Sequence, residues 1–347
     1  AVSVHSRERA VCGGVGCLSR NRTKGNEKKA HHFVPITYLN EFTNENGSLR
    51  IYQKEAPNKE IWRKPINTGF RNYYYSQPTP EGTWDNNTLE DHFSEYEDKW
   101  PDFVSKIRAR ISVNENLDFL FQYIMLQNSR VPATRDMVEL ILAQDVVQTV
   151  RLMDRNGMLP PKPEGLEGIL DNAIATIDPH MSIHAMSKIA EGLTKLLQML
   201  GLAIIRNQTG TSFFTSDNPI IWFDPSVPEN KMRPHTVSPE GPVLFFFPLA
   251  RDLAILGSSE AKDFSEELGL YEGQQATPDF VNTMNRLVAK FSYQAFYSDS
   301  DEYSDLAVEF SSTSPTIEFE NYPTQDGTLR FYRRVFGPRR KPHKWSG

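Results

Sequence analysis

Asp217 and Asn218 stand in the stretch SFFTSDNPII, residues 212–221, between runs of apolar, β-prone residues. A carboxylate flanked by apolar strands loses hydration, and desolvation lifts its pKa toward the working range of a general base. A loop at a strand edge is also where a rigid sheet commonly holds catalytic groups. The same residue types, Thr215-Ser216-Asp217-Asn218-Pro219, equally satisfy a plain Asx-type turn through their own side chains. The sequence leaves both readings open.

A second polar group lies in LQNSRVPATR. In the helical pattern before it, Leu117, Phe121 and Ile124 form a stripe on which Gln127 falls. A core-facing Gln needs hydrogen-bond partners or a ligand. With Arg130 and, past Pro132, Arg135, it has the donors and acceptors to hold a base edge and phosphates. An Arg–carboxylate tie between helices is the structural alternative. His31 and His32 open the ordered part, and adjacent residues of a strand point to opposite faces, so at most one serves a given pocket. His180 and His184 are spaced i, i+4 but lack the neighbouring Glu of a zincin helix, and no metal is assigned.

These residues need elements to hold them. Two short strands are expected within GSLRIYQKEAPNKEIWRKP and another at RNYYYSQ. Helices follow from Thr88, divided near Trp100-Pro101, through ENLDFLFQYIMLQNSR, from Pro132 to a stop at Gly157, and from His180 to Gly201. After a loop at 158–168 and that last helix the texture changes to strand-like runs, LAIIRNQ, SFFTS, PIIWF, PVLFFFPLA and LAILGSS. A late helix starts at Thr277-Pro278, and AFYSD and TLRFYRRVF close the chain. The order predicts an α+β fold: a mixed β-sheet, a helical middle over about 88–200 and a β-rich second half. Residues 28–329 read as one domain, between a basic leader (1–27), read as disordered, and a basic tail (330–347).

The charge is unevenly spread. Residues 1–30 carry +5 and residues 330–347 carry +7, so a chain of net −6 has a body at −18. A general nucleic-acid glove is basic along a face; here only the ends offer phosphate contacts, or merely solubilise the chain. The two cysteines, Cys12 and Cys17, cannot close a four-ligand zinc site. No apolar run reaches the roughly 18 residues of a membrane span, and the leader lacks the apolar core of a secretory signal. A cytoplasmic protein with no membrane or protein partner is expected. Walker A, GxGxxG, GxSxG, HExxH and the zinc-deaminase PCxxC are all missing.

Taken in order, HHFVPITYLNEF, RNYYYS, LQNSRVPATR, FTSDNPI, FFFPLA and MNRLVAKFSYQAFYS resemble a large bacterial family known as a domain of unknown function, over roughly residues 28–300. Its recurrent polar positions match His32, Gln127, Arg130, Arg135, Asp217, Asn218 and Asn285 here. Members of this kind occur in antiphage defence, and the resemblance implies a DNA glycosylase that excises modified (glucosylated hydroxymethyl) cytosines from double-stranded phage DNA. Such an enzyme flips a nucleotide, holds the base and assists its departure. Asp217 would orient water or steady the sugar cation. Asn218 or Gln127 would pair with the base edge, and His32 would stabilise the leaving base. Tyr38 and Tyr74, within the Tyr73–Tyr75 run, would stack, and Arg130 and Arg135 would contact phosphates. No cofactor is required. Two other readings stand beside it: a defence nuclease or phosphodiesterase, and a non-enzymatic module that senses a phage component.

Overall fold

The computed structural model of this 347-residue chain describes residues 3–5, 28–162, 165, 168, 170, 173–324 and 327–343. Its centre is a five-stranded sheet in the order Ile221–Phe223, Leu244–Ala250, Leu253–Ser258, Gly201–Arg206, Tyr271–Glu272, antiparallel except at the last strand. Successive residues of a strand face opposite ways, and here both faces are covered. Leu202, Ile204, Phe245 and Phe247 point into a core shared with the helical middle. Ala203, Ile205, Phe246 and Ala254 point into a second core, against the late helix Pro278–Phe291. Burial on both faces explains why LFFFPLA is continuously apolar rather than alternating.

Beside it lies a four-stranded sheet, Thr215–Ser216, Ala295–Ser298, Leu49–Gln53 and Trp62–Arg63 in that order. A short pair, Ala30–His32 with Phe70–Asn72, leads into the domain. The chain is α+β, as the element order implies.

Local signals act where expected, with some shifts. The helix Leu117–Arg130 stops because Val131, preceding Pro132, is extended (φ −70, ψ 151), and Pro132 opens Pro132–Arg155 at once. Its buried stripe is Leu120, Tyr123, Ile124 and Gln127, one register away from the expected Leu117 and Phe121. The expected strand at RNYYYSQ ends at Asn72, because Tyr73 takes a left-handed φ of 56. The segment from His180 is two helices, His180–His184 and Met186–Leu197.

The C-terminal segment folds as a hairpin, Ser314–Thr324 against Gly327–Gly337, so the basic tail begins inside a strand. Of the leader, Ser3–His5 is described, paired with Ile174–Thr176. The remaining expectations for the leader, and part of those for the loop at 158–168, fall outside the described residues. Among the described residues no helix is long and apolar enough to cross a membrane.

Candidate active site

The polar knot sits where the late helix becomes the strand Ala295–Ser298. Asp217 is 1% exposed, and its two carboxylate oxygens accept the backbone N–H groups of Tyr293 and Gln294, each at 2.7 Å. Asn218 Nδ2 donates to the carbonyl of Phe291 (2.9 Å), an acceptor that the helix end leaves free. From the opposite side Lys54 Nζ donates to the carbonyls of Lys290 (3.2 Å), Ser292 (2.6 Å) and Thr313. One junction is thereby pinned by an anion on its N–H side and a cation on its carbonyl side.

Burial disfavours both charges. It raises the Asp217 carboxyl to about 6, against the pull of the two backbone N–H groups and of Lys54. It lowers the Lys54 ammonium to about 7, against the attraction of Asp217.

Asp217 also borders a cleft of about 180 Å3, whose wall includes Phe33, Glu55, Arg63, Gln294 and Tyr297. Gln294 Nε2 is buried there with no protein partner, a donor left for a ligand or water. Arg63 lines the cleft, and Arg71 packs over the rings of Tyr74 (5.0 Å) and Phe33 (5.9 Å). Among the described residues no carboxylate lies within 4.0 Å of either guanidinium. The cleft therefore offers a carboxylate of raised pKa, an orphan amide donor and one unpaired cation, Arg63, on the same wall as Glu55. Such a set suits an anionic substrate that needs a base or an electrostatic stabiliser at one atom.

A larger cavity of about 590 Å3 opens between Asn40, Arg108, Asn207 and Asp252. Its charges already neutralise one another, Arg108 with Glu41 and Asp252, and Arg251 with Asp299. Size alone does not make it the better candidate; the smaller cleft holds the unsatisfied groups.

His32, Gln127 and Arg130 form a neighbouring cluster. Gln127 Nε2 donates to the Phe33 carbonyl (3.0 Å), and its Oε1 accepts from Arg130 Nη2 (2.9 Å). Arg130 Nη1 reaches Glu97 at 2.6 Å, the tie between helices that the sequence left open. Glu97 and Arg130 are close enough to His32 to act on its charge; burial lowers its pKa, and Nε2 lies 3.2 Å from the Ile66 carbonyl. Glu90 belongs here too, with Oε1 buried and unpartnered and its pKa raised by burial to about 7. Phe33 joins the cluster to the cleft: its carbonyl holds Gln127, and it lines the same cleft as Asp217. His31 and His32 do face opposite ways: His31 is fully buried, between the Lys28 carbonyl and the Tyr75 N–H.

The other expected site residues are engaged within the fold. Arg135, 1% exposed, donates to Ser182 Oγ and to the carbonyls of Tyr74 and Pro179, so it cannot reach a phosphate. Tyr38 is fully buried, stacked on Phe247, with Oη 2.7 Å from both Thr215 Oγ1 and the Pro248 carbonyl. No ring face remains for a base. The Tyr74 ring carries Arg135 at 4.1 Å and Arg71 on its surface, and burial pushes its hydroxyl up to about 12. Asn285 bonds the Phe214 N–H and the Ser212 carbonyl, doing the work of a missing strand neighbour.

Lys54, Arg63, Gln294 and Tyr297 were not expected. Gln294 and Tyr297 lie in MNRLVAKFSYQAFYS, and a Gln at a helix-to-strand junction is the one signal that could have drawn attention to them.

Residues 30–302 match the family described as Protein of unknown function (DUF4238). The chain belongs to this family. No curated protein and no solved structure matches it. In this DUF4238 member the Asp217 cleft lies wholly within the matched span, whereas the C-terminal hairpin and tail lie beyond it. Among the described residues no group of three or more His, Cys, Asp and Glu stands close enough to hold a metal ion.

Proposed function

We propose that this DUF4238 protein is an antiphage DNA glycosylase that excises modified cytosine, glucosylated hydroxymethylcytosine foremost, from double-stranded phage DNA and leaves an abasic site. One observation carries the reading: a buried carboxylate with its pKa raised to about 6 borders a cleft that also holds an orphan amide donor, Gln294 Nε2. Near neutral pH Asp217 is mostly ionised, so it can orient a water toward the anomeric carbon or steady the positive charge that develops on the sugar. Gln294 is positioned to bond the base edge. Arg63 and Arg71 supply charge for the flanking phosphates. His32, its pKa lowered by burial and its ring packed on Phe70 at 5.4 Å, adds a neutral ring rather than a charged acid. About 180 Å3 fits a base-sized group, so a glucosylated base requires the mouth to widen around Glu55 and Arg63.

The test is mass spectrometry of bases released, in EDTA, from phage DNA bearing glucosylated hydroxymethylcytosine and from unmodified DNA. Free modified base is expected from the first alone, and Gln294→Leu, which leaves the backbone bonds to Asp217 intact, should reduce it at least tenfold. Cut strands without free base would replace the reading with a nuclease. Intact DNA would favour a sensing module, a reading supported by the structural engagement of Arg135, Asn218 and Asn285.

A further inference from the structure

The basic tail lies against the Asp217 cleft. Tyr293 is the link: its N–H bonds Asp217, its ring carries the Arg339 guanidinium at 5.4 Å, and its Oη lies 3.1 Å from the Arg340 carbonyl and 2.9 Å from Asp136. From there Arg339 reaches the carboxylate of Glu55, which Lys341 also meets at 3.2 Å. Glu55 is itself a wall residue of the cleft. A tail that only kept the chain in solution would hold its cations in water; the Arg339 side chain is 10% exposed. Arg339 is close enough to act on the charges of both Asp217 and Lys54.

We infer that Arg339 and Lys341 form a phosphate clamp at the mouth of this cleft, that Glu55 occupies it until substrate arrives, and that the substrate is therefore a nucleic-acid strand rather than a free nucleoside. Two cations that converge on one oxygen of one carboxylate, at the rim of a site whose wall carries the unpaired Arg63, match a phosphate of a backbone. The Glu55 carboxylate is 69% exposed and is held at the surface, where an ion pair contributes little, so a phosphate displaces it at small cost. The clamp also accounts for the unequal charge of the chain. Two of the tail's seven cations stand at the cleft, while the acidic body repels the backbone elsewhere and keeps binding away from the cleft weak. The inference rests on the reading of the cleft as a nucleotide site, but its test does not need turnover.

The test is fluorescence anisotropy with a labelled duplex carrying hydroxymethylcytosine, titrated across potassium chloride concentrations with the full chain. Loss of two phosphate contacts in Arg339→Gln/Lys341→Gln should lower the slope of log K against log salt by about 1.8 and weaken binding at least tenfold in low salt. Glu55→Gln should tighten binding several-fold, and it removes no cation. Thermal melts confirm that both variants fold. An unchanged slope in the double variant, or weaker binding by Glu55→Gln, overturns the clamp. Base release by wild type alongside an unchanged slope defeats the clamp alone. Altered slopes without base release defeat the glycosylase reading and keep the clamp.

Discussion

Arg135 and Arg63 carry the same guanidinium to opposite fates. Arg135 is enclosed by two carbonyls, a hydroxyl and two tyrosine rings, while Arg63 stands on the wall of the Asp217 cleft with no carboxylate of the described residues within 4.0 Å of it. The enclosed residue belongs to a conspicuous motif, QNSRVPATR; the available one sits in an unremarkable strand end, IWRKP. Polar residues inside apolar patterns attract notice because burial obliges them to find partners. Once they find them within the chain, little chemistry is left over. Reactive capacity lies where partners are missing, at Arg63, Arg71 and Gln294 Nε2, and at Asp217 burial adds a raised pKa despite its two backbone partners.

The sharpest way to break this comparison is Arg135→Met. It keeps the bulk but strands the buried carbonyls of Tyr74 and Pro179 and the Ser182 hydroxyl, at a cost of about 3–5 kcal/mol. Urea unfolding measures it, and a loss below about 1 kcal/mol would mean that Arg135 is free for a ligand after all.

Asp217→Asn comes next. An amide cannot accept from both Tyr293 and Gln294, so one N–H faces an NH2 group, and stability falls by about 1–3 kcal/mol. Loss of activity in this variant therefore shows nothing about catalysis until its melting is known. If it melts as wild type does, the two backbone bonds are not what holds the junction.

The pH dependence follows from the same pair. The carboxyl of Asp217 titrates higher in the folded than in the unfolded chain, so the folded state binds the extra proton between about pH 4 and 6, and this contribution to stability falls as pH rises through that window. Lys54 titrates lower when folded, so its contribution rises as pH climbs from about 7 toward the ordinary lysine value of 10.5. Together they place a shallow minimum between pH 6 and 7. Urea midpoints should show the gap between wild type and Asp217→Asn widening as pH drops from 6 to 4. A constant gap would mean that Asp217 is ordinary in its ionisation.

Much of the frame was readable in the chain itself. The proline at 132, the Thr277-Pro278 start and the apolar runs locate the helices and strands, because those signals act over a few residues. The position of Asp217 between two strands was readable for the same reason. What it bonds was not. Lys54 meets the carbonyl of Lys290 from 236 residues away, and the Leu49–Gln53 strand that delivers it pairs with Ala295–Ser298 through a register that no local pattern specifies. Tyr38 looked like a stacking platform because its burial depends on Pro248 and Thr215, both remote in the chain. Local patterns decide elements; only their distant pairing decides which polar atoms are left over.

Arg63→Gln has the least effect on the fold and bears most directly on that distinction. The side chain is exposed, and among the described residues no carboxylate or side-chain hydrogen bond depends on it, so melting should stay within about 0.5 kcal/mol of wild type. Its removal takes one cation from a cleft that also holds the negative charge of Asp217. Binding of a phosphate-bearing substrate weakens, and the cleft favours anions less. A tenfold fall in kcat/KM, about 1.4 kcal/mol at the transition state, with the larger share in KM, is the expected outcome for a group that holds the strand and touches no reacting atom. Arg63→Lys should recover part of it, since charge rather than fork geometry does most of the holding at a solvent-exposed phosphate. If Arg63→Gln leaves kcat/KM unchanged while Arg130→Gln, corrected for folding, abolishes it, the chemistry belongs to the Gln127–Arg130–His32 cluster, and the unpaired cation at the cleft is ordinary surface charge.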